Sequence, residues 1–148
     1  MIVPLPDDEV EKLLNEQVVG RIGCHADGRT YVVPVAYAYV GGSVYAHSTN
    51  GAKIRMMRKN PRVCFEVDRV ETLSNWKSVI AWGTYEELQD EAAREAMRML
   101  LLHFLNQKAH PLAHSFAPDR PGISDRDAIV YRIRLTEKTG RAEQPIAV

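Results

Sequence analysis

Two glycine-bearing pairs, Asp27-Gly28 and Gly41-Gly42, each separate strand-like runs. Pairs of this kind favour the left-handed backbone of two-residue hairpins. A chain punctuated in this way folds as antiparallel strands joined by tight turns. The flanking runs predict strands at 18–26, 31–40 and 43–47, rich in valine and tyrosine. A short helix follows at about 51–59, with Asn50 as its cap, and Asn60-Pro61 ends it. Further strands are predicted at 63–67, 76–87 and 128–135. Asp7 or Asp8 caps a helix at 7–16, with Val10, Leu13 and Leu14 on its apolar face. Asp90 caps another, reaching about Gln107, with Ala93, Met97, Leu100, Leu101, Phe104 and Leu105 at helical spacing. The stretch 108–125 contains three prolines and reads as loop, and the polar tail 137–148 reads as loosely held. The expected fold is mainly β with peripheral helices, a six-stranded antiparallel barrel. Another small barrel or a sandwich fits the same pattern.

The 148 residues fit a single domain, with its core over about 10–135. Nineteen basic and nineteen acidic residues cancel, so the expectation is no nucleic-acid partner and at most a small, locally recognised anion. No apolar run is long enough to span a membrane, and the start, MIVPLPDDEVEKLL, is unlike a secretory signal. The expected compartment is the cytoplasm. Cys24 and Cys64 sit in strand-like runs and read as reduced core residues. No zinc-ligand spacing is present. His103, His110 and His114 invite a metal reading, but Pro111 breaks the helical pairing of the last two, and no metal is expected.

The segment richest in chemistry is His47-Ser48-Thr49-Asn50-Gly51-Ala52-Lys53, between a strand and a helix. Ser48 and Thr49 supply hydroxyls, and Gly51 and Ala52 admit a ligand close to the backbone. The helix start presents free amides and the positive end of its dipole. Lys53 lies in that first turn, where a cation is unfavourable unless an anion binds there too. These parts make a phosphate cradle; a capped helix with a solvated lysine is the alternative. In the run 32–36, Pro34 lacks an amide hydrogen and belongs at a sheet edge or a gap in the ladder. Such a gap frees backbone groups for a flat polar ligand.

Three runs, GRIGCHADGRTYVVPVAYAY, VYAHSTNGAKIRMMRKNPRVCFEVD and NWKSVIAWGTYEEL, resemble the pyridoxamine 5′-phosphate oxidase-related flavoproteins. The resemblance spans about residues 10–135 and is nearest to the nitroimidazole-resistance-like branch. It implies an FMN-binding split barrel that dimerises, with the flavin between subunits. Lys53 corresponds to the family's phosphate-binding lysine, and His47, Ser48 and Thr49 complete the phosphate end. Val33, Pro34, Val35 and Ala36 would line the isoalloxazine. Ser78 falls where relatives place a polar flavin contact, and Trp76 would close the pocket from the other subunit. FAD, a deazaflavin or haem are the other cofactors such a fold takes. Ala52 departs from the pattern, because many relatives have arginine there; Arg55 is the nearby cation that can compensate. The substrate-phosphate motif of pyridoxamine phosphate oxidases is missing from the end, YRIRLTEKTGRAEQ.

The resemblance thus implies an FMN-dependent oxidoreductase acting on a small organic acceptor, with nitroaromatic reduction the sharpest version of that reading. A flavin carrier without turnover is the alternative. No catalytic residue is legible, because the flavin carries the chemistry. Trp76 and Trp82, six residues apart, share one face of a strand and read as core or dimer interface, as does the stripe from Met97 to Leu105.

Overall fold

Both glycine-bearing pairs form hairpins with the expected left-handed backbone: Asp27 and Gly28 have φ of 53° and 74°, Gly41 and Gly42 of 59° and 82°. The computed structural model describes residues 1–107 and 128–145. The predicted loop 108–125, with His110 and His114, lies outside them, as do residues 146–148 of the tail. In chain order the elements are β1 (Ile2–Pro4), α1 (Asp7–Glu16), β2 (Val19–Ala26), β3 (Arg29–Ala36), β4 (Ala38–Val40) and β5 (Ser43–Ser48). Then come α2 (Ala52–Lys59), β6 (Arg62–Thr72), β7 (Asn75–Glu87), α3 (Asp90–Asn106) and β8 (Ile129–Glu143).

The strands lie in the order β3-β2-β6-β7-β8-β5-β4, with β1 added on β8, and every pairing is antiparallel. β3 and β4 are opposite ends of this path, yet Tyr37 alone separates them in sequence. A sheet whose two ends are one residue apart must roll up. Its seam stays unladdered, so the architecture is a split barrel. The strand predicted over 31–40 is therefore two strands, because rolling forces the chain to change neighbours at Tyr37. Tyr37 is fully buried, stacks edge-on against Phe65 at 4.9 Å between ring centres, and donates its hydroxyl to the Leu14 carbonyl at 2.7 Å.

Among the described residues eight strands form where six were expected. β1 was missed because three residues carry too little pattern. The tail is not loose: β8 continues to Glu143, pairing with β7 and with β1. Its polar residues face water on a two-sided ladder, which a hydrophobicity pattern does not register. Helix caps also move. Pro6, Gly51 and Gln89 stand at the N-caps, and none of them makes a side-chain capping bond.

The barrel interior holds Ile22, Val44, Phe65, Val67, Val79, Tyr131 and Ile133, closed by Leu13 and Leu14 of α1 and by Ile54 and Met57 of α2. Each such side chain contributes roughly 1.5–3 kcal/mol on burial. Cys24 joins this core, whereas Cys64 is half-buried. α3 buries Ala96 and Leu100 but leaves Leu101 and Leu105 about half exposed, so the predicted stripe only partly meets the core. His103 hydrogen-bonds the Gln17 carbonyl at 2.9 Å, an anchor for α3.

Between Trp82 and Gly83 the β7–β8 register slips, leaving Thr136 opposite no residue; its hydroxyl donates to the Trp82 carbonyl at 3.2 Å. At this bulge the strands pinch. A Cβ on Gly83 would strike the Arg134 carbonyl, whereas one on Gly23 meets nothing nearer than 3.7 Å. Gly83→Ala is expected to lower unfolding stability by about 2–4 kcal/mol, and Gly23→Ala to change it by less than about 1 kcal/mol. Urea denaturation of both variants checks the contrast.

Candidate functional site

The seam of the barrel is where β3 approaches β5. β3 pairs on one side with β2 and is an end strand of the sheet, so among the described residues its other edge lacks a strand partner. Pro34 therefore lies on an edge strand, where its missing N–H is tolerated. Beyond β5 the chain turns into α2, which packs across β2. Several contacts fix the helix there. Ile54 and Met57 are buried beneath it, Lys59 pairs with Asp27 at 2.6 Å, Arg58 pairs with Glu87, and Asn60 Nδ2 donates to the His25 carbonyl at 2.8 Å. The exposed ion pairs add little stability individually but hold the helix in register.

At the start of α2, Gly51 is extended and no side chain accepts from the first-turn amides. Ser48 Oγ donates to the Thr49 carbonyl at 2.8 Å, and Arg55 donates to the Asn50 carbonyl at 3.2 Å. Arg55 thus braces the loop. Lys53 is half-buried, and burial pushes its ammonium below the ordinary lysine range. No carboxylate among the described residues pairs with it; Cys24 is the group that opposes the shift. His47 is held below the ordinary imidazole value by burial and by Lys53, so it is neutral near pH 7. Its Nδ1 is buried without a hydrogen-bond partner, as is the hydroxyl of Tyr131. Burial raises the Cys24 thiol, with Lys53 opposing, and raises Tyr131 with Cys24 contributing. Lys53, His47, Cys24 and Tyr131 therefore form one electrostatically connected group. Orphaned buried polar atoms and an unbalanced buried cation are each unfavourable by about 1–3 kcal/mol or more. A ligand bearing an anion and hydrogen-bonding groups relieves both.

β3, which carries Val33, Pro34, Val35 and Ala36, approaches β5, which carries His47 and Ser48, while Thr49 lies in the loop that leads to α2 and Lys53 lies on α2, against β2; Val35 is buried, and Pro34 is exposed opposite Arg21. The structure does not bring Trp76 or Ser78 to the seam. Both project from β7 on the side opposite to buried Val79, Ala81 and Tyr85. Trp76 donates its indole N–H to Glu143 at 3.0 Å, and Ser78 donates to Glu66 at 3.3 Å. Trp82, on the same side, is 40% exposed. Neither tryptophan is core. Cys24 and Tyr131 were not anticipated, because in sequence they look like ordinary barrel positions and only the rolled sheet sets Cys24 near Lys53 and Tyr131 near Cys24. Among the described residues no cluster of three or more His, Cys, Asp or Glu is placed to hold a metal, and no helix is long and apolar enough to cross a membrane.

The chain matches the pyridoxamine 5′-phosphate oxidase family over residues 6–142. It belongs to that family. A curated relative within reach is an uncharacterized protein of Rhizobium meliloti (strain 1021), 32% identical over 126 residues, covering 84% of this chain and 83% of that one. Among solved structures, an FAD-binding protein from Mesorhizobium loti is 35% identical, with a TM-score of 0.74 over 97% of this chain and 99% of that one. A candidate 5-nitroimidazole antibiotic resistance protein from Bacteroides thetaiotaomicron has a TM-score of 0.73 at 22% identity, covering 96% and 87%. At that identity the likeness speaks for the fold alone. Membership in the pyridoxamine 5′-phosphate oxidase family agrees with the split barrel derived from Tyr37.

The burial of Lys53 has a measurable consequence in the flavin-free protein. Lys53→Met removes a desolvated charge that lacks a counterion and keeps the aliphatic volume. Its Tm is expected to rise by about 2–4 °C, checked by thermal unfolding followed by circular dichroism.

Proposed function

We propose that this protein binds a flavin at the barrel seam and is an oxidoreductase that reduces a small organic acceptor, with nitroaromatic compounds the first class to examine. The observation that carries the reading is Lys53, half-buried without a carboxylate partner beside the orphaned Nδ1 of His47 at an uncapped helix start. That combination fits the phosphate end of a flavin. When bound, a flavin supplies hydride or electron transfer to the acceptor.

The chain's own residues do the holding. Lys53 balances the phosphate charge, and the first amides of α2 and the Thr49 hydroxyl donate to its oxygens. The unladdered edge of β3 at Val33, Pro34, Val35 and Ala36 meets the polar rim of the ring system. His47, neutral, offers a ring nitrogen to the ligand, and the apolar seam excludes water. Trp76 and Ser78 lie on the outward face of the same chain, so they reach a flavin only from a second copy; the proposed assembly is a homodimer with the flavin between subunits. FMN is the cofactor proposed. The FAD-binding neighbour from Mesorhizobium loti favours FAD as a second reading, since FAD contains the same phosphate-bearing unit.

Titration with FMN and with FAD, followed by flavin fluorescence, tests the reading. Saturation at one flavin per subunit is expected, with Lys53→Met weaker by about 10- to 100-fold, the worth of a charge-assisted phosphate contact of roughly 1.5–3 kcal/mol. Absence of binding, or equal affinity in the folded variant, overturns it. Stopped-flow reoxidation by nitroaromatics then separates enzyme from carrier: acceleration over free flavin supports the enzyme.

A further inference from the structure

The cradle at the start of α2 is placed by contacts at the other end of that helix. α2 is eight residues long, and no side chain caps its start. A helix this short depends on tertiary contacts for its place. The hydrogen bonds at its start stay within the loop. Ser48 Oγ and the Gly51 amide both donate to the Thr49 carbonyl, and Arg55 donates to the Asn50 carbonyl. Among the described residues, the polar contacts that reach the barrel come from Arg58, Lys59 and Asn60.

These three are unequal. Lys59 and Asp27 are both exposed, and such a pair adds little. Asn60 makes one neutral bond to the His25 carbonyl. Arg58 grips Glu87 with two nitrogens, Nε on Oε1 and Nη2 on Oε2 at 3.2 Å. The hydroxyl of buried Tyr85 donates to the same Oε1 at 2.9 Å. A bidentate guanidinium–carboxylate pair fixes orientation as well as distance. The neighbouring Glu86 points to the other face of β7 and pairs with Arg132 and Arg134. Hydrogen bonds from Arg58, helped by Tyr85, hold the Glu87 carboxyl below the usual carboxylate range against burial, so the clasp stays charged at neutral pH.

Glu87 also lies in line with the other half of the cradle. It stands opposite Tyr131 of β8, and Tyr131 stands opposite Ala46 of β5, next to His47. Two strand spacings, about 10 Å, separate Glu87 from β5. One carboxylate therefore ties α2, which carries Lys53, to the strands that lead to His47 and Ser48. We infer that Glu87 is a positioning residue for the phosphate end of the flavin: clasped by Arg58 and Tyr85, it sets Lys53 and the α2 amides at their distance from His47 on β5. The inference rests on the cradle reading above and adds a residue that acts through Arg58 rather than on the ligand.

Paired titrations with FMN and with riboflavin, which is FMN without its phosphate, test it. A residue that positions the cradle changes the phosphate's part of the affinity, whereas general loosening of the fold weakens both ligands alike. Glu87→Gln is expected to weaken FMN by about 3- to 10-fold and riboflavin by less than about 2-fold. Arg58→Lys, which keeps the charge but loses the two-pronged grip, is expected to fall between wild type and Glu87→Gln. Asp27→Asn, which frees exposed Lys59 at the same helix end, is expected to leave the FMN-to-riboflavin ratio within about 2-fold of wild type. Circular dichroism checks that each variant is folded. If Glu87→Gln does not fold, Tyr85→Phe carries the test, with a smaller narrowing of the ratio expected. A ratio unchanged in the folded variant, or lowered as far by Asp27→Asn, overturns the positioning role and leaves the cradle standing. Wild-type protein that binds FMN no more tightly than riboflavin, or binds neither, overturns the cradle reading and this inference with it.

Discussion

Tyr37 ties the two ends of the sheet together. β3 and β4 are its extremes, and a single buried residue joins them, so the sheet has to curl until they meet. The hydroxyl bond to the Leu14 carbonyl and the edge contact with Phe65 pin that residue to α1 and to β6. β8 completes the roll by pairing with β7, β5 and β1. Curling sets the unladdered edge of β3 near β5 and lays α2 across β2. The candidate site is a by-product of closure: without the change of neighbours at Tyr37, the phosphate cradle and the β3 edge would lie at opposite ends of a flat sheet.

Burial then decides the electrostatics. Lys53 is carried inward by a helix that is anchored at its far end by Lys59–Asp27 and Arg58–Glu87. It meets Cys24 and His47, neither of which supplies a negative carboxylate. The site is therefore unbalanced by one positive charge in surroundings of low polarity, and an anionic ligand is its natural complement.

Much of the fold was legible in the sequence for local reasons. Asp27-Gly28 and Gly41-Gly42 have few backbone options, so both hairpins could be placed to the residue. The break at Tyr37 was not legible, because 31–40 is an unbroken run of valine, tyrosine and alanine around Pro34 and only closure divides it. β8 was cut short at Leu135, since its continuation from Thr136 to Glu143 is polar and draws its stability from backbone pairing with β7 and β1. In the site, the His47–Lys53 segment was legible because a lysine in a first helical turn conflicts with the dipole. The roles of Cys24 and Tyr131 depend on partners distant in sequence, Lys53 for Cys24 and Cys24 for Tyr131. The family resemblance placed Ser78 and Trp76 near a flavin, and the single chain shows them facing outward.

The central claim is that one seam, between the edge of β3 and the start of α2, holds the flavin. A crystal structure of the protein grown with FMN tests it most directly. The account predicts the phosphate at hydrogen-bonding distance from Lys53 Nζ and the α2 amides, with the ring system along Val33 to Ala36. Flavin density elsewhere, with Lys53 untouched and His47 Nδ1 still without a partner, would contradict it.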